Sequence, residues 1–123
     1  MDLTTNYLGM ELKNPIIPSA GPLSKEIGNI KAMEDAGAAA IVLYSIFEEQ
    51  IEREELELNH FTSYLTESHA EALAYFPYQV DFKTGPEEYL SYIRKVKESV
   101  DIPIIGSLKG KSIGGWTDYA KKI

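Results

Sequence analysis

Three apolar runs decide how this chain is read: Pro15-Ile16-Ile17-Pro18-Ser19-Ala20-Gly21, Ala38-Ala39-Ala40-Ile41-Val42-Leu43 and Ile102-Pro103-Ile104-Ile105-Gly106-Ser107. Each is too short for a core helix, and turn-forming or small residues bound it, which predicts buried strands. Apolar runs without alternation suit strands covered on both faces, the usual condition of a parallel sheet. The segments between them carry helical periodicity. Ile27, Ile30 and Met33 mark one helix face, with Ser24 expected as its N-cap, Glu26 in the first turn and Gly37 as the C-cap glycine. Thr84-Gly85-Pro86-Glu87-Glu88 opens a second helix, whose stripe is Tyr89, Ile93, Val96 and Val100. Trp116, Ala120 and Ile123 begin a third.

Outward from this frame, Leu3–Tyr7 and Met10–Lys13 are short alternating runs separated by Leu8-Gly9, a gap that suits a hairpin. The stretch Glu48–Val80 reads as an insertion with one or two short helices. Ser68–Tyr75 has helical spacing and Asn59-His60-Phe61-Thr62-Ser63 reads as loop. The order is hairpin, β, α, β, insertion, α, β, α. Strands alternating with helices predict βαβ units, a parallel sheet and right-handed crossovers. A closed (β/α)8 barrel takes about 250 residues. The 123 residues here are therefore expected to form either a small open α/β domain or the first part of something larger.

Composition narrows the function. The chain is 44% hydrophobic and 25% charged, which argues against disorder and against a coiled coil. Its longest apolar run, Ala38–Tyr44, is too short to span a bilayer, and no signal-peptide pattern opens the chain. Cys is absent, which removes disulfides, thiolate metal sites and Cys nucleophiles and suits a cytoplasmic protein. Twelve basic against nineteen acidic residues give a net charge of −7, which argues against a nucleic-acid partner. Six Glu and one Arg between Phe47 and Leu58 concentrate the acidity, as a solvated helix face or loop would.

In parallel α/β folds, chemistry collects at the C-terminal ends of the strands. Here those ends are Ser19-Ala20-Gly21, Tyr44-Ser45 and Ser107-Leu108-Lys109-Gly110. Small side chains there let backbone amides approach a flat ligand or a phosphate. Lys109 offers a positive charge for a flavin or a substrate anion. Ordinary turn chemistry explains the same small residues. Neither a GxGxxG fingerprint nor a GxxxxGK[ST] loop is present. Glu67, His69 and Glu71 would splay over different helix faces, so no metal site is expected. Nothing brings His60 or His69 to a serine for a triad. Tyr75, Phe76, Tyr78 and Phe82 read as core or loop anchors.

Specific strings add to this. Leu3-Thr4-Thr5, Leu12-Lys13-Asn14-Pro15-Ile16-Ile17-Pro18-Ser19-Ala20-Gly21, Ser45-Ile46-Phe47-Glu48-Glu49-Gln50, Ile102–Leu108 with Gly110, and Gly115-Trp116-Thr117 occur in an order that resembles the dihydroorotate dehydrogenase family, the FMN-dependent (β/α)8 barrels, and most of all its dihydroorotate dehydrogenase-like branch. The resemblance runs along essentially the whole chain. It implies that residues 1–123 are the N-terminal portion of a single flavin-binding barrel, with three βα units and a hairpin capping the bottom. Ser19, Ala20, Gly21 and Ser45 would contact FMN and Lys109 the substrate, and the insertion would cover the substrate side. The reaction implied is oxidation of dihydroorotate to orotate in pyrimidine biosynthesis.

The sequence departs from the family pattern in three places. No Lys precedes Ser45 in Val42-Leu43-Tyr44-Ser45, no Asn-Leu-Gly-type segment is visible in Tyr75–Tyr78, and Lys109 stands where relatives commonly have Asn. The family's catalytic base and phosphate site belong to later strands. No residue here is thus assigned as catalytic, and the chain alone is expected to be inactive, to bind FMN weakly or not at all, and to be marginally stable, to oligomerise or to pair with a complementing C-terminal barrel portion. The alternatives are a non-catalytic split barrel acting through a partner, and a different FMN barrel such as a dihydropyrimidine- or dihydrouridine-type reductase.

Overall fold

A computed structural model describes residues 1–67, 85–112 and 115–123. The elements run β1 (Thr5–Tyr7), β2 (Met10–Leu12), a 3-10 turn (Pro22–Lys25), α1 (Ile27–Asp35), β3 (Ile41–Phe47), α2 (Glu48–Glu67), α3 (Gly85–Ser99), β4 (Ile104–Lys109) and α4 (Gly115–Lys122). The fold is mixed α/β with two two-stranded sheets, and no barrel closes among the described residues.

The expected hairpin is present, with β1 and β2 antiparallel and Tyr7 opposite Met10. Leu8 and Gly9 both take positive φ, 50° and 75°. A two-residue turn of this hand matches strand twist, which is why Gly and Asn favour it. Leu8 holds it against its own Cβ, at a cost of about 1–2 kcal/mol. Leu12 of the hairpin buries itself with Ala39 and Ala40, and Met10, Ile17 and Ile105 pack around them. The hairpin therefore seals the end of the sheet where β3 and β4 begin.

The first apolar run does not become a regular strand. It runs alongside β3, with Ile16 and Pro18 carbonyls accepting from the amides of Ala39 and Val42, each at 3.0 Å. Pro15 and Pro18 have no N–H, and the Ile16 amide is taken by Asn14 Oδ1 at 2.9 Å. A segment with so few free donors cannot complete a ladder. The second and third runs do pair, in parallel, but each strand starts and ends later than the apolar pattern suggests, at Ile41–Phe47 and Ile104–Lys109. Tyr44, Ser45 and Lys109 are consequently strand residues.

Helices cover one face of this pair. Ile30 of α1, Ile41, Leu43 and Ile46 of β3, Tyr89, Leu90, Ile93 and Val96 of α3 and Trp116 of α4 form one core. Burying aliphatic side chains of this size contributes about 1.5–3 kcal/mol each. The α3 stripe is buried as its spacing predicts. Gly37, at φ 102°, ends α1. Its amide bonds the Glu34 carbonyl and the Ala38 amide bonds the Met33 carbonyl, the paired bonds of a Schellman stop.

Three further sequence expectations are corrected. Ser24 is not the N-cap of α1, because it lies within the 3-10 turn and Glu26 precedes the helix. Asn59–Ser63 is helical, part of a single 20-residue α2, with the Thr62 and Ser63 hydroxyls donating to the Leu58 and Asn59 carbonyls. On α4, Tyr119 packs on the core while Ala120 is exposed. The expectations for Ser68–Tyr75, for His69 and Glu71, and for the aromatics from Tyr75 to Phe82 lie outside the described residues.

One irregularity organises the sheet. Val42 pairs with Ile105 and Ser45 with Ser107, so Leu43 and Tyr44 lie opposite Gly106 alone. This bulge strands ladder groups that would otherwise bond across the pair. The Tyr89 hydroxyl reaches in from α3, donating to the Tyr44 carbonyl at 2.8 Å and accepting from the Ser107 amide at 3.0 Å. Removing it leaves two backbone groups unpaired in a half-buried setting. Tyr89→Phe should therefore destabilise the fold by about 1–3 kcal/mol in chemical denaturation. Leu8→Asn should stabilise it by about 1 kcal/mol, because Asn tolerates the left-handed region.

Candidate functional site at the strand ends

The face of the β3–β4 pair turned away from α1 and α3 follows from register. Ile46 and Leu108 pair and both pack on the helix side. Ser45 and Ser107, and beyond them Phe47 and Lys109, pair on the other face. The serine hydroxyls are 2.7 Å apart and hydrogen-bond each other. The Lys109 ammonium lies 5.1 Å over the Phe47 ring. Among the described residues Lys109 has no carboxylate partner.

The end of the first run stands beside this row, since Pro18 bonds Val42. Ser19 and Ala20 are exposed, and a Cβ placed on Gly21 would meet only the Ser19 carbonyl, at 3.9 Å. The Gly21 carbonyl is occupied, accepting the Ser24 hydroxyl at 2.8 Å. Ser24, 2% exposed, also accepts the Tyr44 amide at 2.7 Å, and its carbonyl accepts the Tyr92 hydroxyl at 2.6 Å. Burial raises all three tyrosines, and with the nearby Tyr44 and Glu26 it pushes Tyr92 up to about 12, so these phenols remain protonated donors. The ends of β3, β4 and the segment beside them thus meet at one open edge of small residues, paired hydroxyls, one aromatic ring and one cation. That donor set fits a flat, anionic aromatic group laid against backbone.

Of the sequence-derived site residues, Ser45 and Lys109 share the open face, and Ser19, Ala20 and Gly21 end the neighbouring segment. Tyr44, which directly precedes Ser45, packs on the helix side against Tyr89, with ring centroids 5.2 Å apart. Ser107 belongs to the site through its bond to Ser45, which only register reveals. A groove of about 470 Å³ opens between α2 and α3, lined by Lys25, Tyr44, Glu54, Glu88 and Lys95 among others, and it reaches Ser45 and Phe47 at the end of β3. Its charges are of mixed sign, and the Tyr89 and Tyr92 hydroxyls in its wall are already committed to backbone. Among the described residues no cluster of His, Asp and Glu could hold a metal, and no helix is long and apolar enough to cross a membrane.

Glu48, buried at 6% exposure, was hidden within the acidic run. Its carboxylate accepts the Lys111 amide, the Ser112 amide at 2.8 Å and the Ser112 hydroxyl. Burial raises its carboxyl, but the Ser112 hydroxyl, the two amides and the Trp116 indole outweigh that and lower it from 4.5 to about 2.

The chain is similar to the catalytic subunit of dihydroorotate dehydrogenase B (NAD(+)) of Methanocaldococcus jannaschii. The two are 29% identical over 125 aligned positions, which cover 98% of this chain and 38% of that protein. The chain therefore spans well under half of its relative's length. No protein-family model matches, and no solved structure matches. The similarity supports a relationship to the dihydroorotate dehydrogenases and suggests an oxidoreductase.

A carboxylate depressed in the folded state contributes stability above its ordinary value and loses it as pH falls toward the folded one. Denaturation midpoints should therefore drop between pH 4.5 and about 2. In Glu48→Gln that part of the pH dependence should flatten.

Proposed function

We propose that this chain supplies the first three βα units of an FMN-dependent (β/α)8-barrel oxidoreductase that resembles dihydroorotate dehydrogenase and converts dihydroorotate to orotate. The observation that carries this reading is the similarity to a dihydroorotate dehydrogenase catalytic subunit along nearly the whole chain. The strand-end geometry is consistent with it. The reaction removes a hydride and a proton from the substrate, and FMN is the group that takes the hydride.

In this reading each residue of the edge has a task. The backbone of Ser19, Ala20 and Gly21 lies against the flavin, because small side chains allow close approach. Ser45, held in place by Ser107, presents a hydroxyl to the same group. Lys109 binds the anionic substrate. Among the described residues Lys109 has no carboxylate partner, and an unpaired cation partly shielded by Phe47 attracts an anion more strongly than one already paired. No residue of this chain is assigned to proton removal. Residues 1–123 form one portion of a single barrel domain, and the rest of the barrel, in the same polypeptide or in a complementing one, covers the open face.

The test is to isolate the native gene product from its source cells, weigh it intact and record its visible spectrum. The expected product shows flavin absorbance bands and releases FMN, about one per barrel, on denaturation. A colourless product that takes up no FMN would overturn the proposal. A colourless species of 13.8 kDa with no partner would favour a non-catalytic role instead.

A further inference from the structure

We propose that Glu48 is a positioning residue: by clamping the loop after β4 it aims Lys109 across the strand-end site. The inference rests on the site reading given above and concerns a residue that lies outside the open face. Phe47 and Lys109 are the last cross-strand pair of the sheet. Alternation then turns the next residue, Glu48, inward, where it opens α2.

From there its carboxylate holds the chain that leaves β4. One glycine after Lys109, the Lys111 and Ser112 amides and the Ser112 hydroxyl all donate to it, and Trp116 adds its indole N–H from α4. The glycine itself is confined, since a Cβ on Gly110 would stand 3.0 Å from the Trp116 ring. Lys109 is thus fixed on three sides: by the β3 ladder before it, by the clamp after it, and by the Phe47 ring below it.

The clamp also separates the two cations at this edge, Lys109 at the end of β4 and Lys111 in the loop. The Lys111 ammonium lies 4.0 Å from Glu49, both groups exposed, so Lys111 is drawn toward the start of α2. Lys109 is left facing the edge. Four donors from the loop that follows Lys109 and the helix beyond it gather on this one carboxylate, which fixes the path of the chain as it leaves β4.

The test uses the native gene product and orotate as the anion probe, with amide hydrogen exchange at Lys111 and Ser112 as a readout independent of turnover. Glu48→Ala should speed exchange at those two amides, leave β4 protected and weaken orotate binding about tenfold. Lys109→Ala should weaken binding to a similar degree with the loop still protected. The double variant should be no weaker than either single one, since both act through the same contact. Glu48→Gln keeps an acceptor for both amides and should restore binding to within about threefold. If Glu48→Ala does not fold, Ser112→Ala removes one donor and should give a smaller loss of the same kind. Faster loop exchange with unchanged orotate binding, while Lys109→Ala still loses it, would overturn the positioning role and leave the flavin reading intact. A wild-type product that binds neither FMN nor orotate would defeat both.

Discussion

The structure depends on one hydroxyl. Tyr89 fills the gap that the β3 bulge opens in the ladder, taking the Tyr44 carbonyl and the Ser107 amide at once. The bulge changes which residues face outward. In a regular strand Val42 and Tyr44 would share a face, but the extra residue makes Ser45 the partner of Val42 on that face and turns Tyr44 toward the helices. The serine pair and the cation-bearing edge exist because of that single shift. Without a donor-acceptor such as Tyr89, the shift would leave buried backbone groups unpaired, which folded proteins rarely tolerate.

Around that hydroxyl the strand ends are tied to the elements beside them. Ser24 receives the Tyr44 amide, and Tyr92 secures Ser24 through its carbonyl. Two tyrosines one turn apart on α3 therefore hold both the bulge and the turn that follows the first apolar run. The Tyr44 ring touches both of the others and lies near-perpendicular to Tyr89. Burial raises the pKa of all three hydroxyls, which favours their protonated, donating form.

The two ends of the sheet are chemically unlike. The hairpin buries Leu12 against Ala39 and Ala40 where the strands begin, giving a dry apolar end. The other end carries hydroxyls, an exposed lysine and loops tied by a buried carboxylate. This polarity is what parallel α/β folds use to separate stability from chemistry. It also agrees with the relationship to a dihydroorotate dehydrogenase subunit, although that similarity reaches only 38% of the relative's length.

Much of this was legible in the residues alone. The Leu8-Gly9 turn, the Gly37 stop and the α3 stripe follow from local rules, because each is decided by neighbours a few positions apart. The mixed α/β class of fold followed from the order of apolar runs. Sequence misjudged Ser24, whose cap-like spacing is overridden by a bond to a strand 20 residues away. It misjudged Asn59–Ser63, where hydroxyls that favour loops bond back to the helix carbonyls instead. What only the tertiary structure decided is register: which residue of β3 faces which residue of β4. Register depends on a bulge, and the bulge depends on a tyrosine from a distant helix, so Ser107, Glu48 and the turning away of Tyr44 have no local signal. The sequence by itself determined the elements and their order. The contacts between residues far apart in the chain decided which side chains meet at the edge.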